Sequence, residues 1–322
     1  MLPVDALVLH RIKGIGNKAQ IALIKCFIEH RLDSLESILE LDPRKTSHLS
    51  RPLNLLSAFF ANGTYSSVKK ECEQDLAEWS TFGITTVTFG SGKYPIQLTQ
   101  LDDPPALLFC KGNTDLLSTP KSIAVVGTRK NTQLGELIAQ KTVEHFANRG
   151  FCVVSGLAHG IDAIAHRAAL KFNAHTIAVL VDVNNVSPPG NRDLAQKIID
   201  QNGLLISENP PGIKSVPGLF VKRDRIQAGL GLAVFAIETS VDGGTMHAVK
   251  TASLLDRPIY VPDPKAAGYP DLTISAIGGT QALIKDGLAT PYTRDSYEQI
   301  YHVLERSAAV SETINEGTGR LI

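Results

Sequence analysis

From residue 122 onward, short blocks of consecutive apolar residues alternate with longer stretches in which apolar positions recur at helical spacing. The blocks lie at 123–127, 152–155, 176–181, 204–207, 233–238 and 258–261. Apolar residues run through them almost without alternation, which is how a strand reads when both of its faces are covered. Such strands, separated by helices of about ten to fifteen residues, predict an α/β fold with a doubly wound, mainly parallel sheet.

Upstream the pattern is different. In residues 1–78, Leu7, Leu9 and Ile12 precede Gly14-Ile15-Gly16, and Ile21, Leu23, Ile24, Phe27 and Ile28 follow at helical spacing. This predicts a small helical domain in which the glycines form an interhelix turn or a helix-hairpin-helix element. Two β-rich runs come next, at 84–89 and 106–110, separated by Tyr94-Pro95 and Asp103-Pro104-Pro105. The prolines exclude a helix interior, so this segment is expected to join or extend the sheet. After Ala289 the chain turns polar, with one short helix expected around 297–304 and a frayed end at 317–322. The expected division is a helical domain at 1–78, a sheet domain at 79–290 and a polar tail at 291–322.

Three predicted strands end in small residues and open a helix: Gly127-Thr128-Arg129, then 155–162 (Ser155-Gly156-Leu157-Ala158-His159-Gly160-Ile161-Asp162), then Asp242-Gly243-Gly244-Thr245. A helix start of this kind leaves backbone N–H groups unpaired at the positive end of the dipole, which suits a phosphate. On one parallel sheet, the three turns line a crevice at the strand C-termini. Each also has a plain reading as a tight strand-to-helix turn. Asp162 and His166 fall at i and i+4, a spacing that serves a structural hydrogen bond or an acid/base couple. His247 is expected to pack.

Composition narrows the chemistry. The chain has 322 residues, 43% hydrophobic and 20% charged, with 32 basic against 32 acidic side chains. No net charge draws a polyanion, so any such site rests on local clusters, of which Lys222, Arg223 and Arg225 form the main one in the sheet region. Cys26, Cys72, Cys110 and Cys152 lie far apart without metal-ligand spacing and read as buried thiols of a cytoplasmic protein. No apolar run approaches the roughly 20 residues of a membrane helix. The dinucleotide fingerprint, the phosphate-binding Walker loop, the serine nucleophile elbow and the histidine pair of metalloproteases are all missing. No catalytic residue, metal or cofactor is expected.

Taken in order, the residues resemble the DNA-processing protein A family (DprA, also called Smf). The similarity is carried by Gly14-Ile15-Gly16, Tyr94-Pro95, Pro104-Pro105 with Leu108 and Gly112, Gly127-Thr128-Arg129, Ser155-Gly156-Leu157-Ala158, Gly160-Ile161-Asp162, His166, Pro189 with Asn191, Pro210-Pro211-Gly212 and the basic segment 223–230. The resemblance implies an extended Rossmann-like domain that forms a homodimer, binds single-stranded DNA and delivers it to the RecA recombinase in natural transformation. It further implies DNA or phosphate contacts at Gly127, Thr128, Arg129, Ser155, Gly156, Ala158, His159, Gly160, Asp162, His166, Asn191, Lys222, Arg223, Arg225, Gly243, Gly244 and Thr245. Several positions depart from the family pattern. Val181-Asp182-Val183 replaces a Gly-Thr-Gly, Ser187 a tyrosine, Asp224 an asparagine, and Gly243-Gly244-Thr245 a Ser-Gly-Ser turn. The winged helix that many members carry is not expected in the residues after Ala289. The alternative is a Rossmann-like nucleotide sensor or phosphoribohydrolase-like enzyme. Its catalytic glutamate would follow the third turn, where Met246-His247-Ala248 stands, with Glu238 the nearest carboxylate.

Overall fold

The computed structural model describes residues 1–44, 46–263, 266 and 278–318. Four helices come first: α1 (Pro3–Arg11), α2 (Asn17–Glu29), α3 (Ser50–Ala61) and α4 (Tyr65–Thr81). Gly14, at φ +93, turns the chain between α1 and α2. Then come β1 (Ile84–Thr88), β2 (Leu107–Gly112), β3 (Ser122–Val126), α5 (Gln133–Ala147), β4 (Cys152–Ser155), α6 (Ile161–Lys171), β5 (Thr176–Val179) and α7 (Arg192–Asp200). The chain continues through β6 (Leu204–Ser207), α8 (Pro217–Leu230), β7 (Val234–Ala236), α9 (Thr245–Leu254), β8 (Ile259–Pro262), α10 (Gly278–Lys285), β9 (Thr290–Tyr292) and α11 (Tyr297–Thr318).

The strands form one sheet in the order β1-β2-β6-β5-β4-β3-β7-β8-β9. Strands β3 to β9 pair in parallel, whereas β1 and β2 add to the β6 edge antiparallel. This is the doubly wound α/β sheet expected of the apolar blocks, extended by the proline-flanked segment. Side chains alternate across it: Ile123 and Val125 of β3 pack with α5 and α6, while Ala124 and Val126 pack with α8 and α9. Both faces are covered, so the strand reads as continuously apolar.

The N-terminal helices share one buried cluster with β1, β2, β5 and β6, and Trp79 packs edge-on against Phe109 at 5.3 Å. The C-terminal end carries more than a polar pattern shows. Strand β9 extends the sheet beyond β8, and Tyr297, Ile300, Leu304 and Ala308 of α11 are buried with Phe146 and Phe151. A three-residue strand containing proline gives no readable run, and a helix with one buried stripe looks polar on average. Of the end expected to fray, residues 319–322 lie outside the described residues.

Helix α8, like α6, is buried on more than its sheet-facing side. Its C-terminal half is enclosed all round, with Ile226, Gln227, Ala228 and Leu230 buried. Gly229 lets it approach Leu98, where a side chain would stand 2.8 Å from a leucine methyl. The C-terminal half of the helix thus sits in the core, and Arg223 and Gln227 face inward.

Candidate functional site

From β3 the chain winds outward in both directions, through β4, β5 and β6 on one side and β7, β8 and β9 on the other. Between β3 and β7 this reversal opens a crevice beyond the strand C-termini, the usual ligand position of open α/β sheets. A cavity of about 460 Å³ occupies that place. Val126, Gly127, Thr128, Arg129 and Lys130 line one wall, Ala158 and Asp162 another, and Thr239, Ser240, Gly243, Gly244, Thr245 and Ala248 a third. Arg223, Asp224 and Gln227 of α8 complete it.

The first two turns are clasped together. A side chain at Gly127 would meet Ile161 Cγ1 at 2.6 Å, and Gly160, at φ +76, lies against the Thr128 carbonyl. The Thr128 N–H donates to the Glu238 carbonyl at 2.7 Å, and the Thr128 carbonyl accepts the Ile161 N–H at 3.2 Å. These groups hold the turns to each other and are not left for a ligand. At the third turn the Met246 and His247 N–H groups are taken by the Gly243 and Gly244 carbonyls. Those of Gly244 and Thr245 are the orphan donors of the α9 start among the described residues.

At the inner end lies a buried charged group. The Arg223 guanidinium covers Gly156, where it takes the space of any side chain. It is 4% exposed, within ion-pair range of Asp224 (3.4 Å) and Asp162 (3.9 Å). Among the described residues, its Nε and Nη1 have no hydrogen-bond partner, nor has Oε1 of Gln227. Burial raises the Asp162 carboxyl above its ordinary range, opposed by Arg223 and by the Ala158 and Gly156 N–H groups. Burial also pushes Asp224 up to about 6, against the pull of Arg223. Arg129 and Lys130 are exposed at the opening.

The basic cluster divides. Arg223 enters the cavity, but Lys222 and Arg225 turn away and join Glu208 and Asp103. Arg225 grips Glu208 with two bonds of 2.6 and 2.8 Å and donates to the Asp103 carbonyl at 3.0 Å; Lys222 Nζ is 3.0 Å from Glu208. Asp103 also accepts from Asn17 at 2.7 Å, so these cations tie α8 to the start of α2. Lys222 borders a separate cavity of about 510 Å³ with Gly14, Gly16, Lys18 and Arg51.

Other expected site residues take structural places. The Ser155 hydroxyl, fully buried, donates to the Val125 carbonyl at 2.7 Å. His166 bonds Thr176 Oγ1 at 2.7 Å, and burial holds its pKa down at about 3, so the imidazole is neutral. Asp162 accepts from the Ala158 N–H at 3.4 Å, so the i,i+4 pair serves two different partners. Buried Asn191 donates to the Leu157 carbonyl at 2.7 Å and so fixes Leu157 in its left-handed conformation (φ +57). His159 stands exposed beside Gly190, and His247, expected to pack, is exposed because the first turn of α9 faces solvent. Glu238 is committed as well: its carboxylate accepts from the Thr132 N–H at 3.0 Å and the Thr132 hydroxyl at 2.5 Å, capping α5 beneath Gly135.

Lys130, Thr239 and Ser240 line the cavity without belonging to any of the motifs, and Gln227 lines it from within the 223–230 segment without having been given a role. Only Gln227 had a readable signal, four residues past Arg223 on the same helical face. The departure at 181–183 has a local account: the Asp182 carboxylate accepts from the Asn184, Asn185 and Gly212 N–H groups at 2.8, 3.2 and 2.9 Å and closes the turn after β5 itself. The four cysteines are free and buried. Among the described residues, no cluster of His, Cys, Asp or Glu is placed to hold a metal ion, and no helix is long and apolar enough to cross a membrane.

Comparison with known proteins agrees with this architecture. Residues 85–312 match the family model described as DNA recombination-mediator protein A. DNA processing protein DprA of Bacillus subtilis is 33% identical over 216 residues, covering 63% of this chain and 72% of that protein. Protein Smf of Escherichia coli is 35% identical over 173 residues, or 53% of this chain, but the matched part spans only 46% of that protein's length. The X-ray structure of DNA processing protein A from Streptococcus pneumoniae is similar at a TM-score of 0.75 and 25% identity, over 92% of this chain and 96% of that one. DNA processing protein A from Helicobacter pylori, solved for its single-stranded DNA binding mode, gives 0.60 and 27% over 69% and 96%.

Proposed function

The chain belongs to the DNA recombination-mediator protein A family, and from that premise we propose that it binds single-stranded DNA across the crevice between β3 and β7. One observation carries the reading: Arg129, Lys130, Arg223 and the α9 start border a single cavity at the topological switch point. Exposed cations and orphan N–H groups suit the phosphates of a flexible strand. In this reading Gly127, Gly156 and Gly160 act by close packing, Asn191 by fixing the 155–160 turn, and Lys222 and Arg225 by anchoring α8.

The role is that of a non-catalytic strand carrier. The protein holds incoming DNA as a homodimer in the cytoplasm and passes it to the RecA recombinase during natural transformation. The similar protein from H. pylori, studied in its single-stranded DNA binding mode, supports the ligand. Fluorescence anisotropy with labelled oligo-dT tests it: binding that weakens linearly in log affinity against log salt is expected. No binding at low ionic strength rejects the reading. Co-elution of RecA with the strand-bound protein, and an elution volume of twice the monomer mass, test the partner and the dimer.

A further inference from the structure

Residues 102–105 lead toward β2, and two of the four, Pro104 and Pro105, have no N–H to offer. Among the described residues, none of the four pairs its backbone with another backbone group. Side chains hold this loop instead. Tyr94 donates to the Pro105 carbonyl at 2.8 Å, and Arg225 donates to the Asp103 carbonyl. Asn17, the first residue of α2, makes three more bonds. Its Nδ2 donates to the Asp103 carboxylate and to the Pro104 carbonyl, each at 2.7 Å, while its Oδ1 accepts the Ala106 N–H at 2.9 Å. These partners fix which way round the amide stands.

Arg225 carries the position of that loop to α8. Its guanidinium joins Asp103 on the loop to the Glu208 carboxylate after β6, and it also donates to the Lys222 carbonyl at 2.8 Å. This matters because apolar packing begins late in α8. Before Ile226 no apolar side chain of the helix is buried: Leu219 and Phe220 are half-buried, and Val221 is exposed. Arg223 therefore projects from a stretch that polar contacts hold, and its own Nε and Nη1 have no hydrogen bond to fix them among the described residues. The nearest firm anchor is Arg225, two residues on.

Resting on the single-strand reading, we propose that Asn17 is a positioning residue for the crevice: from the N-terminal helices, through Asp103 and Arg225, it sets the segment of α8 from which Arg223 projects. Asn17 touches no strand itself. The chain of contacts runs from α2 to the loop and from the loop to α8, and each link is a hydrogen bond from a side chain. When the first link is lost, the loop and residues 217–225 are free to shift, and Arg223 moves with them. The seating of the N-terminal helices thus governs how firmly the crevice holds a strand.

The test reads oligo-dT anisotropy on Asn17→Ala, Arg223→Met and the double variant. Asn17→Ala is expected to weaken binding roughly fivefold, within the range that such networks transmit. Its salt slope stays at the wild-type value, because no phosphate contact is lost. In the Arg223→Met background the same change is expected to cost less than about 1.5-fold, since its route is gone. In the strand-free protein the Nε–H resonance of Arg223, identified by its absence from Arg223→Met, is expected to move in Asn17→Ala; a loss of stability alone does not move it. An unmoved resonance, an unchanged affinity, an equal loss in both backgrounds or a reduced salt slope overturns the proposal while strand binding stands. A wild type that binds no strand at low ionic strength rejects the single-strand reading and this role with it. Should Asn17→Ala not fold, Asp103→Ala breaks the same link at the loop and answers to the same outcomes.

Discussion

The Arg223 guanidinium occupies the space that a side chain at position 156 would fill, so Gly156 is required for room and not for an unusual backbone angle. Gly156→Ala must expel the guanidinium from between Asp162 and Asp224. Overpacking of this kind costs roughly 1–3 kcal/mol. The variant is expected to lose that much in urea unfolding and about tenfold in oligo-dT affinity; unchanged affinity would show that Arg223 takes no part in binding.

Arg129 and Arg225 are expected to separate cleanly, although the resemblance assigns both to the DNA. Arg129 is exposed at the opening, so Arg129→Ala leaves stability near wild type and reduces the single-strand salt slope by about 0.7 for each phosphate that the arginine neutralises. Arg225 is bonded twice to the buried carboxylate of Glu208. Breaking such a pair costs roughly 3–5 kcal/mol, so Arg225→Ala should shift the urea midpoint and leave the salt slope alone.

Asp224 makes the site pH-dependent. Burial raises its carboxyl from 3.8 to about 6, so the folded protein holds this proton more tightly than the unfolded chain. Its contribution to stability is complete below pH 3.8 and is lost as the pH climbs through 6. A rise of that size corresponds to a loss of about 3 kcal/mol. Protonation also relieves the acidic surplus around Arg223. Asp224→Asn is therefore expected to be the more stable protein above pH 7, to bind oligo-dT several-fold more tightly there, and to show a flatter binding profile between pH 5 and 7. A wild-type profile that is already flat would count against this role for Asp224.

Leu304 is fully buried among the aromatic residues of α5 and the sheet. Leu304→Ala should cost roughly 2–5 kcal/mol, measured by thermal or urea unfolding. A surface tail would lose nothing.

Much of the fold was legible because a parallel sheet covered on both faces leaves apolar blocks such as 204–207, and these match the observed strands within a residue or two. Strand β9 was not, since Thr290-Pro291-Tyr292 has no run to read. The crevice was legible in its glycines, but their physical work was not. Gly127 and Gly160 accept neighbouring atoms, and the Thr128 backbone is spent on the clasp. The basic segment shows the limit most plainly. Lys222 and Arg225, three apart, share one side of α8, while Arg223 and Gln227, four apart, share another. That arithmetic lies in the sequence, yet which side meets the cavity depends on where α8 packs, and packing is settled by residues as distant as Leu98 and Asp103.

The clasp between Gly160 and Thr128 also bears on kinetics. Two loops that already hold each other through the Ile161 amide have no closing motion left to make when a strand arrives. Capture should then proceed at the encounter rate, steered by ionic strength, and variants should differ mainly in how long they retain the strand. Stopped-flow association rates that stay within a few-fold across the Gly156 and Asp224 variants, with dissociation rates that spread widely, are the expected signature.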